Sequence, residues 1–195
     1  MFPVTSRSVG SSMDTASSRC FTHYARTHAR THNHHRHIWG FDSFAGHPPQ
    51  TAADRSTSSA EALSDNWRVR ELDVWRTLEL GTESSRQELE QRVTLVPGWF
   101  HETMPTFRRT LALVHLDPDY YQSTKDVLTY LWPAVAKNGV VLCGQRNNPM
   151  LPGKGVALTE FLASMSPDEV ASSTDQLSGH FLLTKLRSSD YSPER

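Results

Sequence analysis

The sequence predicts an α/β fold with a mostly parallel sheet, and three observations carry that prediction. Short apolar runs of strand length (IWGF at 38–41, VTLV at 93–96, LALVHL at 111–116 and VVLC at 140–143) are bounded by Gly, Pro, Asn or Asp. Between them lie segments whose apolar residues recur every three or four positions, as on one face of a helix. The two kinds of segment alternate along the chain, which is the pattern of βα units.

Taken in order, the first strand, Ile38–Phe41, ends at Asp42 and passes into a loop, SFAGHPP (43–49). Residues 50–66 are small and polar, with a short helix expected near Ala60–Leu63. In 67–80, Leu72, Trp75 and Leu78 keep a three-residue spacing that favours helix, and Gly81 is the expected stop. Ser84 or Ser85 caps a short charged helix through Gln91, with Glu88 placed to complete a capping box from Ser85. The strand at 93–96 is closed by Pro97-Gly98, and Trp99–Pro105 reads as a loop or helix start. Leu111–Leu116 is the clearest strand. After it, Val127, Leu128, Leu131 and Val135 share one helical face, with the helix opening at Ser123 or Thr124 in an S-x-x-D pattern. Asn138-Gly139 punctuates before the strand Val140–Cys143. Val156–Ala163 reads as helix and Phe181–Lys185 as a closing strand.

At 195 residues the chain suits one domain with a real core plus an extension. The net charge of −1 gives no electrostatic case for nucleic acid or an anionic membrane. No apolar stretch approaches the roughly 20 residues of a membrane-spanning helix. Cys20 and Cys143 do not suggest a disulfide framework, so a reducing, cytoplasmic setting is expected. Residues 1–37 hold five arginines, six of the ten histidines and one acid, Asp14. They show no apolar periodicity and are read as a disordered basic, His-rich tail before a domain at 38–188, with 189–195 as a flexible end. His32, His34, His35 and His37 could bind a transition metal adventitiously through imidazole nitrogens.

The segment LDPDYYQST (116–124) carries the chemistry: Asp117 and Asp119 stand where a strand hands over to a helix, at the sheet edge where ligands gather in open α/β folds. By themselves these acids read first as a solvated strand-end pair. Three blocks together resemble one family. WGFDSFAG with Pro48 and Pro49 is similar to a "GFDSFEGLP" block, VTLVPGWFHETMP (93–105) to "V-x-L-x-x-GWF-x-x-TLP", and LDPDYYQST through Pro133 and Gly139 to "LDGDLYEST…LYP…GG". These are motifs of the macrocin O-methyltransferase (TylF-like) family, whose members are S-adenosylmethionine-dependent methyltransferases of class I acting on sugar hydroxyls of natural products. The resemblance covers about residues 37–186 and implies a Rossmann-like class I methyltransferase sheet.

Carried over position by position, the resemblance makes Asp42 the acid that binds the ribose hydroxyls of S-adenosylmethionine, with Ser43 beside it. Trp99 and Phe100 fall where they would line the cofactor or acceptor pocket, with core packing as the equal alternative. Asp117 matches a magnesium ligand and Asp119 the general base. A hard cation held by oxygens would clamp a sugar diol and acidify its hydroxyl. His101 beside Glu102 is read as an exposed helix-start residue rather than an acid–base partner.

Two departures accompany these matches. The family completes its metal site with paired aspartates after the next strand, where this chain has Cys143 and Gly144. A soft thiol is a poor partner for a hard ion, so the Mg2+ site is expected to be incomplete. Pro118 also replaces the glycine between the two aspartates and stiffens the turn. Upstream of Ile38 the sequence offers no apolar strand and no glycine-rich turn for the central position that the family's first strand fills. A fragment, a closing-up of the flanking strands, or another segment in the gap are the alternatives. The expected function is therefore O-methyl transfer to a sugar or natural-product hydroxyl. A truncated, catalytically impaired remnant with a structural or binding role is the second reading. The partner implied is a small-molecule acceptor, with a homo-oligomer compatible.

Overall fold

A computed structural model describes residues 4–5, 37–55, 68–175 and 179–187. Seven strands form one sheet: β1 (Val4–Thr5), β2 (Ile38–Asp42), β3 (Val93–Pro97), β4 (Leu111–Asp117), β5 (Val135–Gln145), β6 (Val170–Thr174) and β7 (His180–Lys185), in the order β3-β2-β1-β4-β5-β7-β6. The first five are mutually parallel, and β7 runs antiparallel to both β5 and β6. The order reverses between β1 and β4, which makes the carboxyl ends of these strands the switch point of a doubly wound sheet.

The central position is filled. Val4 pairs with Phe41 on one side and Leu116 on the other, and Thr5 pairs with Asp117. The flanking strands do not close up: another segment stands in the gap. Two residues are too few to show an alternating pattern, so the sequence gives no sign of this strand. Residues 6–36, where a turn following β1 would run, lie outside the described residues, as do the helix expected near Ala60–Leu63 and the histidines His32, His34 and His35. His37 is described: its Nε2 lies 2.8 Å from Thr94 Oγ1, and its ring tilts against Trp39.

The helices are α1 (Glu71–Thr82), α2 (Arg86–Glu90), α3 (Phe100–Thr103), α4 (Tyr121–Leu131) and α5 (Pro152–Ser164). On one face of the sheet Trp75, Leu78 and Leu89 pack on Ile38 and Val93. On the other, Val127, Leu128, Leu131 and Leu158 pack on Phe41, Val114, Leu116, Cys143 and Leu183. The alternation of side chains along each strand assigns these residues to the two faces.

Most elements follow the sequence, and four depart from it. Val135, expected on the helical face with Val127, Leu128 and Leu131, opens β5 instead, because α4 ends at Leu131. Gly81 does not stop α1, which runs one residue further and ends where Glu83 turns left-handed (φ 55°). β6 (VASST) was not expected, because its largely exposed, small polar residues carry no core pattern. Most consequentially, α4 opens at Tyr121 rather than Ser123 or Thr124. The S-x-x-D pattern is not its cap: Asp126 accepts from Gln122 Nε2 at 2.8 Å inside the helix.

The cap comes from 67 residues away. Asp54, in the 3-10 turn Ala52–Asp54, accepts the Tyr121 N–H on Oδ1 at 2.6 Å, while its Oδ2 accepts from the Thr51 N–H and Oγ1 at 2.8 and 2.7 Å. A carboxylate at the amide end of a helix also meets the positive end of the helix dipole. The opposite end of α4 is met by a cation, since buried Lys185 donates through Nζ to the Trp132 and Pro133 carbonyls at 2.9 and 3.1 Å. Gly153 passes so close to Asp54 that a Cβ there would overlap the carboxylate.

Removing the Asp54 carboxylate strands three donors, so Asp54→Ala is expected to cost ~1–3 kcal/mol of stability in urea unfolding. Gly153→Ala is expected to destabilise in the same assay by driving Cβ into that carboxylate, and the two losses should be far from additive because they disrupt one contact.

Candidate active site

The loop after β2 is built from short hydrogen bonds. Asp42 Oδ1 accepts the Phe44 N–H at 2.8 Å, which holds Phe44 left-handed (φ 50°). Ser43 Oγ accepts the Ala45 N–H at 3.1 Å and donates to the Gly46 carbonyl at 2.7 Å. The Asp42 carbonyl in turn accepts the Gly98 N–H at 2.9 Å, joining this loop to the start of α3. Gly98 has φ 131°, and a Cβ on it would lie 2.8 Å from Thr103 Cγ2, so both backbone and space require glycine there.

These two loops and the first turns of α4 enclose a pocket of about 240 Å³ lined in part by Asp42, Ser43, Trp99, Phe100, Gln122 and Asp126. All four residues read from the sequence as cofactor-binding thus share one wall. The volume falls below the roughly 300–1,000 Å³ of whole-ligand sites, so it suits one portion of a cofactor. Phe100 does both jobs open to it at the sequence level: it lines the pocket and is buried against the main core. Burial pushes the Asp42 carboxyl up to about 7, against the opposing pull of the Phe44 N–H and His47. Burial likewise raises Asp126, with Gln122 working the other way.

Asp117 and Asp119 do not line this pocket; their side chains engage different partners. Asp119 Oδ2 lies 3.1 Å from His47 Nε2, both side chains being buried, and the His47 ring tilts over Tyr120 at 4.9 Å between centroids. Gln50 Nε2 donates to the Tyr120 hydroxyl at 3.1 Å. His47 acts electrostatically on Asp42 as well, so one imidazole connects the pocket acid with the strand-end acid. His47 was missed in the sequence. The available signal was its place in the loop block, where the related pattern carries leucine between Gly and Pro.

Asp117 faces the other side of the corner. Its Oδ1 stands 3.7 Å from Nζ of Lys154, a residue of α5 that is only 4% exposed. His115, two residues before Asp117 and on the same strand face, is buried; burial lowers its pKa, and its Nδ1 has no hydrogen-bond partner among the described residues. His101 and Glu102 are exposed and 3.9 Å apart, and His101 lies at the edge of the pocket that holds Asp42.

The residues present do not fit magnesium. Cys143 is fully buried and burial pushes its thiol up to about 12, so it stays protonated. Gly144 offers no side chain, and the space a Cβ would take lies 3.3 Å from Asp117 Oδ1 and 3.4 Å from Lys154 Nζ. Asp117 therefore has an ammonium beside it where the related pattern supplies further carboxylates. Among the described residues no group of three His, Cys, Asp or Glu could hold a metal ion.

A doubly wound sheet with acids at the carboxyl ends of β2 and β4, and a pocket beside the first of them, is a Rossmann-like arrangement. The comparisons with known proteins give the family. The family model described as Macrocin-O-methyltransferase (TylF) matches residues 23–161, and the chain belongs to that family. Mycinamicin III 3''-O-methyltransferase from Micromonospora griseorubida is 33% identical over 109 residues, covering 55% of this chain and 42% of that protein. Demethyldecarbamoylnovobiocin O-methyltransferase from Streptomyces niveus is 35% identical over 112 residues, covering 55% and 40%. The solved O-methyltransferase NovP superposes with a TM-score of 0.67 at 27% identity, over 88% of this chain and 67% of its own. The matched region spans about two fifths of the length of the curated relatives. No helix among the described residues is long and apolar enough to cross a membrane.

The Asp42 shift has a consequence for stability with a defined sign. Its folded value of about 7 lies above its ordinary 3.8, so between about pH 4 and pH 7 the folded state keeps a proton that the unfolded chain has released. Stability contributed here is present at low pH and is lost as pH rises through 7. Asp42→Asn is therefore expected to stabilise the ligand-free protein by ~1–4 kcal/mol at pH 8, with little effect at pH 4, in urea titrations at the two pH values.

Proposed function

We propose that this chain is an S-adenosylmethionine-dependent O-methyltransferase that transfers a methyl group to a hydroxyl of a sugar or other natural-product acceptor. The observation that carries this reading is the pocket at the ends of β2 and β3, which gathers Asp42, Ser43, Trp99 and Phe100 within reach of the His47–Asp119 pair. An ionised Asp42 can accept two hydrogen bonds from the vicinal diol of a ribose, and the flat Trp99 and Phe100 rings supply apolar wall.

In the reaction, a lone pair on the acceptor hydroxyl oxygen forms the new O–CH3 bond. The methyl–sulfur bond breaks, and its electron pair returns to sulfur, leaving a neutral thioether. The hydroxyl proton passes to Asp119, whose other oxygen edge is held by His47. This step needs in-line placement of oxygen, methyl and sulfur above all else. A buried acid–imidazole pair suits the proton acceptor because the imidazole fixes the carboxylate's orientation.

A second reading, a methyltransferase-like protein with a binding role only, draws on one specific observation: the carboxylates that would complete the family's metal set are absent at Cys143 and Gly144. Calorimetric titration of the full chain with S-adenosylmethionine separates the two. Saturable binding that Asp42→Ala weakens at least tenfold is expected, and no binding would sink the enzyme reading.

Tightening as pH rises from 6 to 8 is also expected, because an ionised Asp42 accepts from both ribose hydroxyls more strongly than the protonated acid and its folded pKa is about 7. Asp119→Asn should leave that affinity nearly unchanged. Its turnover on a glycosylated acceptor should fall by ~10²–10⁴, the usual weight of a general base. His47→Ala should lower turnover by a smaller factor and alter its pH profile.

A further inference from the structure

At the head of β4 and β5, three facts converge on one small volume. Asp117 projects into it from the end of β4, and Gly144 leaves it open from the end of β5. Lys154, from the first turn of α5, brings its ammonium to 3.7 Å from Asp117 Oδ1 and to 3.4 Å from where a Gly144 Cβ would stand. An aspartate at 144 would have its Cβ against both groups, so the lysine charge occupies the space between position 144 and Asp117. A buried lysine is rare unless it is paired. Removing one partner from such a pair leaves a buried charge uncompensated. The side chain is therefore held in place by its partner as well as by packing.

We propose that Lys154 is this protein's built-in cation. Its ammonium, fixed against Asp117 over Gly144, supplies the positive charge at the head of β4 and β5 and excludes a divalent ion. The exchange of two carboxylates for Cys143 and Gly144 is consistent with this arrangement. A single lysine charge balances the one carboxylate that remains, so the lost ligands are unnecessary. A compact ammonium also offers three rotatable donors and suits oxygens of varied geometry better than a planar guanidinium would.

This deepens the reading of the cleft given above, but its test uses neither cofactor nor acceptor, so a failure here is distinct from a failure to bind S-adenosylmethionine. First, the thermal midpoint of the full chain is compared in EDTA and in MgCl2 at matched ionic strength. No shift is expected, and a Mg2+-dependent rise that Asp117→Asn abolishes overturns the proposal. Second, Asp117→Asn and Lys154→Met are measured singly and together. Each is expected to lose several degrees, with the double variant losing clearly less than the sum; additive losses overturn the pairing. Third, Gly144→Asp with Lys154→Ala gives two facing carboxylates and no ammonium. Confirmed folded by circular dichroism, this variant should gain a saturable Mn2+ site by calorimetry that Asp117→Asn removes and that the native chain lacks. An Asp117-dependent Mn2+ site in the native chain, or none in the folded variant, overturns the claim that the lysine stands in the ion's place.

Discussion

The fold of the candidate site depends on how the loop from Ser43 to Asp54 is clamped onto the corner between β4 and α4. His47 meets Asp119, Gln50 meets the Tyr120 hydroxyl, and Asp54 meets the Tyr121 amide, so three successive corner residues are each gripped by one loop residue. The last grip is the strongest, because one carboxylate satisfies an otherwise orphaned helix amide and two groups of its own turn. The close pass of Gly153 adds α5 to the same assembly. Loop, helix and strand end therefore hold one another, and the pocket over Asp42 takes its shape from that mutual constraint.

Three aspartates at one edge of the sheet live in three different environments, and the differences separate their chemistry. Asp42 is desolvated, with only an amide and a nearby imidazole to favour its charge, so its proton affinity rises to about 7. Asp119 is held against His47. Asp117 is paired with a lysine instead. One chemical group thus meets burial, an imidazole and an ammonium along a single edge. The thiol of Cys143, driven up to about 12 by burial, takes no part and serves as core.

The short β1 completes this edge. Val4 and Thr5 bridge β2 and β4, and Thr5 stands in register with Asp117, so the middle strand reaches the level at which the acids emerge. Two residues of pairing satisfy backbone groups that a gap would leave bare. The switch point of the sheet then falls between β1 and β4, beside the corner that the loop clamps.

The sequence by itself determined the α/β class, strands β2 to β5 and β7, the Ser85 capping box and the positions of Asp42, Asp117 and Asp119. Each of these is written locally, as a period, a breaker or a motif within some ten residues. The tertiary structure alone decided what those acids face. The S-x-x-D pattern at Ser123 is a sound local signal that lost to a cap supplied from Asp54, and β6 shows an edge strand with almost no apolar pattern to betray it. His47 reaches Asp119 across 72 residues, and Lys154 reaches Asp117 across the joint of β5 and α5. Such contacts have no periodicity to read, because nothing in the spacing of two residues along the chain records that folding will bring their side chains within 4 Å.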